Sequence, residues 1–164
     1  MRGGNKPRKP LDAAGARDSA LRALGRREHS AAELKAKLQR RGLETDVAAE
    51  VVGDLSERGW QSDTRYAEML VRNRVRQGYG RLRIVAELEA ARVPREEITA
   101  ALAAAACDWT ELACALQRRR FGGPPAGAAE WQKQYRFLAG RGFESGPARA
   151  ALKGGAQEPE TDPE

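Results

Sequence analysis

At 164 residues, with aromatics at 5% and charged residues at 32%, the chain lacks the bulky apolar material for a thick globule and must build its interior from Leu, Ala, Val and Ile. Its 29 Lys and Arg against 23 Asp and Glu leave a formal charge of +6, which suits a polyanionic partner that presents phosphates or carboxylates. No apolar run reaches the length of a membrane span and no signal-peptide core follows Met1, so the expectation is a cytoplasmic protein with no membrane role.

The first residues, MRGGNKPRKP, are basic and rich in Gly and Pro, and residues 1–17 are expected to form a disordered basic arm. Residues 18–61 read as a first helical unit. There Ser30-Ala-Ala-Glu33 is a capping box that opens a helix, Gly42 lies just past its end, and Leu43 is placed to fold back on it. Thr45 is expected to cap the next helix, whose stripe Val47, Val51 and Leu55 shares one side, with Gly59 closing it and Trp60 docking beyond.

Residues 62–107 form the second expected unit, with Asp63 as the cap of a helix carrying Tyr66, Met69, Leu70 and Asn73 at helical spacing. Gly78-Tyr79-Gly80 then reads as a tight helix–helix turn. It resembles a phosphate-binding loop only superficially, since it follows a helix and lacks both a third glycine and a GK[ST]. Pro94 with Glu96 and Glu97 suits the first turn of the unit's last helix. In residues 108–153, the third unit, Asp108-Trp-Thr-Glu111 is another capping box, Gly122 to Gly127 is the longest irregular connection, and Pro147 follows Ser145 at a helix start. Residues 154–164, GGAQEPETDPE, are expected to be a disordered acidic tail.

The units are copies of one pattern. Leu38-Gln-Arg-Arg-Gly-Leu-Glu, Leu88-Glu-Ala-Ala-Arg-Val-Pro and Leu138-Ala-Gly-Arg-Gly-Phe-Glu recur at a period of about fifty residues. The register extends from Leu34 and Ile84 forward through Leu43, Ala48 and Val52, their counterparts Val93, Ile98 and Leu102, and then Phe143, Ala148 and Leu152. The fold class is therefore all-α: an elongated tandem array of three three-helix repeats with disordered termini. Trp60 and Trp109 are expected to seal the junctions, each contributing on the order of several kcal/mol if fully buried.

Chemistry is sparse, and no catalytic, cofactor-binding or metal-ligating set is expected. His29, the single histidine, precedes a capping serine at what reads as an exposed helix start, so neither a zinc cluster nor a Ser/His/Asp set can be assembled. Cys107 and Cys114 lie on one helical face, about 10 Å apart and beyond disulfide reach, and are read as buried small apolar residues. Glu87 with Glu89, and Glu96 with Glu97, belong to charged faces or first turns.

What remains is arginine. Arg26 and Arg27 with Lys35, Lys37, Arg40 and Arg41 mark the first unit, Arg72, Arg74, Arg76, Arg81 and Arg83 the second, and Arg118, Arg119 and Arg120 the third. Any one cluster is ordinarily the solvated side of an amphipathic helix. Repeated in stacked units, the clusters would line a basic strip, and Arg72, Arg74, Arg76, Arg81, Arg83, Arg40, Arg41, Arg118, Arg119 and Arg120 are the candidate contacts for a partner or DNA.

Four stretches carry a family resemblance: Arg27-Glu-His-Ser30-Ala-Ala-Glu-Leu34-Lys-Ala-Lys-Leu38, Gly59-Trp-Gln-Ser-Asp63-Thr-Arg-Tyr66, Gly78-Tyr-Gly80-Arg-Leu-Arg-Ile84, and Arg119-Arg-Phe-Gly122 with Leu138-Ala-Gly-Arg-Gly-Phe143. In this order the chain resembles the RecX family from about Leu21 to Leu152. Arg81 stands where the family commonly has proline, and Arg92 where it commonly has glycine. The resemblance implies a non-enzymatic inhibitor of RecA recombinase, a monomer that lodges in the RecA–DNA filament and restrains its extension, strand exchange and coprotease activity in DNA repair and the SOS response. It would meet single-stranded DNA directly or through the filament, and would need no cofactor. A direct nucleic-acid-binding helical repeat protein is the second reading.

Overall fold

A computed structural model describes residues 11–153, and the expected acidic tail and the first ten residues of the arm lie outside them. Among the described residues there are nine helices and no strand. Helices α1 (Ala13–Leu24), α2 (Ala31–Gln39) and α3 (Thr45–Glu57) make the first unit. The second contains α4 (Asp63–Arg76), α5 (Arg81–Ala90) and α6 (Arg95–Ala105), and the third α7 (Trp109–Phe121), α8 (Ala128–Gly140) and α9 (Ser145–Leu152).

Each unit folds on its own apolar cluster. Ala16, Ala20, Leu34, Leu38, Ala48, Val52 and Leu55 fill the first, Tyr66, Ala67, Val71, Ile84, Leu88 and Ile98 the second, and Ala113, Leu116, Leu138, Phe143, Ala148 and Leu152 the third. In every unit the first and third helices pack against each other and the middle helix closes the side, so the principal helix contacts stay within units and the array is tandem. None of the helices alone is long and apolar enough to cross a membrane among the described residues.

The middle helices end alike: the amide of Leu43, Val93 or Phe143 reaches back to the carbonyl of Leu38, Leu88 or Leu138. The residue between is left-handed, with φ of 90° at Gly42, 55° at Arg92 and 89° at Gly142. Only the second unit places a side chain there.

Several expectations are corrected. Helix α1 begins at Ala13 rather than after residue 17, because the Asp12 carboxylate caps it by accepting from the Gly15 amide and Ala16 is wholly buried. Glu44, not Thr45, is the cap position of α3, and it makes no side-chain cap bond; the Thr45 hydroxyl accepts from Gln39 instead. Ser62 caps α4, which frees Asp63 for another task. Trp60 is 51% exposed and seals nothing, whereas Trp109 does pack on the second core. Cys107 lies in the turn before α7, outside the helix that holds Cys114, and both are half-buried. The third unit also hides a polar contact that pattern reading missed: Gln117 donates to Gln134 at 2.8 Å, and both side chains are buried.

Candidate interaction surface

The two junctions between units are built differently, although they use corresponding positions. Between the first and second units, Ser30 works in both directions: its hydroxyl accepts from the Glu33 amide at 3.1 Å and donates to the Ala91 carbonyl at 2.9 Å. Asp63, released from capping duty, accepts from the Ala31 amide at 2.9 Å and from Gln61 Nε2 at 3.0 Å. Gln61, itself buried, also donates to the His29 carbonyl at 3.2 Å. The bond from the Ala31 amide to Asp63 satisfies a donor at the start of α2 that the capping serine alone would leave open.

Glu33 is the hub of this junction. It accepts from the Tyr66 hydroxyl at 3.1 Å, and its other carboxylate oxygen lies 3.2 Å from both Arg27 and His29 Nδ1. Burial, and then the Glu33 charge, push the Tyr66 phenol up to about 12. His29 is buried rather than exposed, a correction to the sequence reading, and burial followed by the Arg27 charge hold its imidazole below the usual value despite Glu33. Gln61 bonds the His29 carbonyl, and Ala90 and Arg92 share its cleft, neighbours that local sequence does not reveal.

Between the second and third units the contact is backbone on backbone. The Gly80 amide donates to the Arg141 carbonyl at 2.8 Å and the Leu82 amide to the Gly142 carbonyl at 2.9 Å. A Cβ on Gly80 would lie 2.3 Å from the Gly142 carbonyl carbon, and one on Gly142 would lie 2.4 Å from the Arg83 Cβ. Only two glycines allow this approach. Arg81 begins α5 in a regular helical turn and pairs with Glu144 across the junction at 3.1 Å, so its departure from the family pattern adds a cross-unit contact.

The candidate arginines divide according to what holds them. In α4, Arg74 points toward α5 and binds Glu87 at 2.7 Å, while Arg83 binds the same carboxylate at 2.9 Å. Partial burial works against ionisation of Glu87, but the bonds from Arg83 and Arg74 prevail and hold its pKa below the usual value. Arg72 and Arg76 lie on the other side of α4, flanking with Glu68 a groove of about 560 Å³ floored by Val75, Ala101 and Ala105. The run Arg72, Arg74 and Arg76 is therefore not one patch.

Arg41 donates to the Ser19 hydroxyl at 2.6 Å and so braces the first unit, whereas Arg40 is exposed. Arg118 pairs with Glu111 at 2.9 Å, and Arg120 lies 5.7 Å from the Phe121 ring centre. Arg119 is exposed, near Gly78. Arg141, absent from the charge runs read from sequence, stacks 4.9 Å over Tyr79, with Arg83 at 5.4 Å and Arg74 at 5.9 Å from the same ring. The sign pointing to Arg141 was the repeat register, which places it beside the left-handed glycine. Of the ten candidate arginines, Arg40, Arg72 and Arg119, one in each unit, have neither an ion pair nor a side-chain hydrogen bond nor a ring contact among the described residues, whereas Arg41 and Arg76 are hydrogen-bonded, Arg120 lies on aromatic rings and the rest are ion-paired.

A tandem array of three-helix units with cations left available in every unit belongs to the helical-repeat class of proteins. The comparisons with known proteins are specific. The RecX first, second and third three-helix domains match residues 16–55, 62–102 and 107–152 in turn, and the chain belongs to the RecX family. Regulatory protein RecX of Xanthomonas axonopodis pv. citri (strain 306) is 50% identical over 135 residues, spanning 82% of this chain and 83% of the relative. Its counterpart in Chromohalobacter salexigens is 42% identical over 136 residues, spanning 83% and 90%. The fold matches the crystal structure of RecX from Lactobacillus salivarius with a TM-score of 0.72 at 19% identity, covering 86% of this chain and 94% of that one.

Proposed function

We propose that this RecX-family regulator acts on the RecA recombinase filament, as a stoichiometric inhibitor rather than a catalyst, restraining filament extension, strand exchange and coprotease activity in DNA repair and the SOS response. Family membership supports the partner. The observation that carries the mode of action is that, of the ten candidate arginines, Arg40, Arg72 and Arg119 are the ones with no ion pair, side-chain hydrogen bond or ring contact among the described residues, one in each unit of a chain whose units are tied by direct hydrogen bonds. A body so joined holds its three cations at fixed spacings, and a repeating polyanionic filament in the cytoplasm is the partner that rewards fixed spacing over single contacts. The monomer suffices, with no cofactor.

The test is a titration of the full chain into RecA assembled on single-stranded DNA, following ATP hydrolysis and filament length. Progressive loss of both at substoichiometric ratios supports the reading. Filaments of undiminished length and activity at equimolar protein overturn it.

A further inference from the structure

Beyond the filament, the junction of the first two units holds a cleft lined by cations. Ser30 holds that junction through a side chain, where Gly80 at the matching position allows backbone to meet backbone. Beside that contact a cleft of about 450 Å³ lies between α2 and the turn after α5. Lys37, Arg40 and Arg92 line it, and none of the three has an ion-pair partner among the described residues. Arg27 also lines the cleft but is engaged by Glu33, the single carboxylate there, and the imidazole of His29 beside them is held below its usual pKa, first by burial and then by the Arg27 charge.

Arg92 is the informative member. The corresponding positions are Gly42 and Gly142, and at Gly142 a Cβ would meet Arg83 at 2.4 Å, whereas the first junction holds a side chain at the matching place. Arg92 takes it with φ at 55°, a conformation that glycine would adopt without strain. Strain is not a sign of function by itself, since Ala106 ends α6 with φ at 47° and bears no charge. What sets Arg92 apart is that its position borders a cleft already lined by two available cations.

We infer that Lys37, Arg40 and Arg92 form a clamp for the phosphodiester backbone of single-stranded nucleic acid, bound directly and without recombinase. The apolar part of the lining is Ala32, Ala36 and Ala90, with no large side chain to anchor a protein partner. Protein interfaces concentrate their affinity in buried aromatic and long apolar groups. Phosphate binding needs only cations with room beside them, and two guanidiniums offer bidentate geometry for it.

The experiment measures fluorescence anisotropy of a labelled oligothymidylate with the full chain, without RecA, over a salt series, alongside thermal melting. Arg92→Gly is expected to raise the melting temperature while weakening binding about three- to tenfold and lowering the salt slope by about 0.7, the value for one single-strand phosphate contact. Arg92→Lys keeps the slope, and Arg40→Ala, an exposed change, lowers it. An Arg92→Gly protein that binds with the parent's affinity and slope overturns the clamp. So does displacement of the oligonucleotide by polyglutamate as readily as by inorganic polyphosphate, which would mark the cleft as a seat for an acidic protein. Either failure leaves the RecA titration untouched, because that assay reads the filament.

Discussion

Replacing Gly80 with Ala tests how the second and third units are joined, because the substituted residue suits its own backbone and offends only its neighbour. With φ at −82° and ψ at 169°, Ala is acceptable at Gly80, and loss of unfolded-state freedom alone would stabilise by about 0.4–1 kcal/mol. Against that, the new methyl would lie 2.3 Å from the Gly142 carbonyl carbon and oxygen, backbone atoms that cannot rotate aside. The units must separate, and the bonds from the Gly80 and Leu82 amides to Arg141 and Gly142 lengthen with them. Two such bonds at about 1 kcal/mol each, with an overpacking cost of about 1–3 kcal/mol, give a net loss of about 3 kcal/mol. For a protein of this size that lowers the melting temperature by about 6–12 °C. Gly53→Ala is the paired control: it lies inside α3 with open space around it, and it should gain about 1 kcal/mol. Urea denaturation and hydrogen exchange at the Leu82 amide read both effects. Should Gly80→Ala melt within about 1 °C of the parent with the Leu82 amide equally protected, the backbone junction is wrong.

Trp60→Ala should cost about 2 kcal/mol in a melt, roughly half the cost of losing a fully buried indole, because half of that side chain is already in water. Arg74→Ala should cost about 1 kcal/mol by leaving partly buried Glu87 with Arg83 alone, while Arg72→Ala with Arg76→Ala should leave the melt within about 0.5 kcal/mol of the parent and weaken RecA inhibition; equal melts for the two proteins would remove the distinction between them. Tyr66 has its folded pKa raised to about 12, so its contribution is fully present below the unfolded value of about 10 and is lost as pH rises toward 12. Phenolate absorbance should show one tyrosine titrating late in the folded chain, and Tyr66→Phe should abolish that late phase.

Local order was legible in the residues themselves. The capping boxes at Ser30 and Asp108, the glycines Gly42 and Gly142 past their helices, and the fifty-residue register of Leu38, Leu88 and Leu138 act over a few positions or repeat, so three three-helix units follow from sequence. The family pattern was legible for the same reason, being spread across all three units. How the units meet was decided only in three dimensions. Gly78-Tyr79-Gly80 reads as a turn, but that Gly80 must be small depends on Gly142, and that the Ser30 hydroxyl ties two units depends on Ala91. His29 is buried by a neighbour, Trp60 finds none, and Arg74 is claimed by Glu87 while Arg72 is not. Helix periodicity tells which side of a helix a residue occupies. It does not tell which residue from a distant part of the chain will stand opposite, and the charge of the surface depends on that pairing.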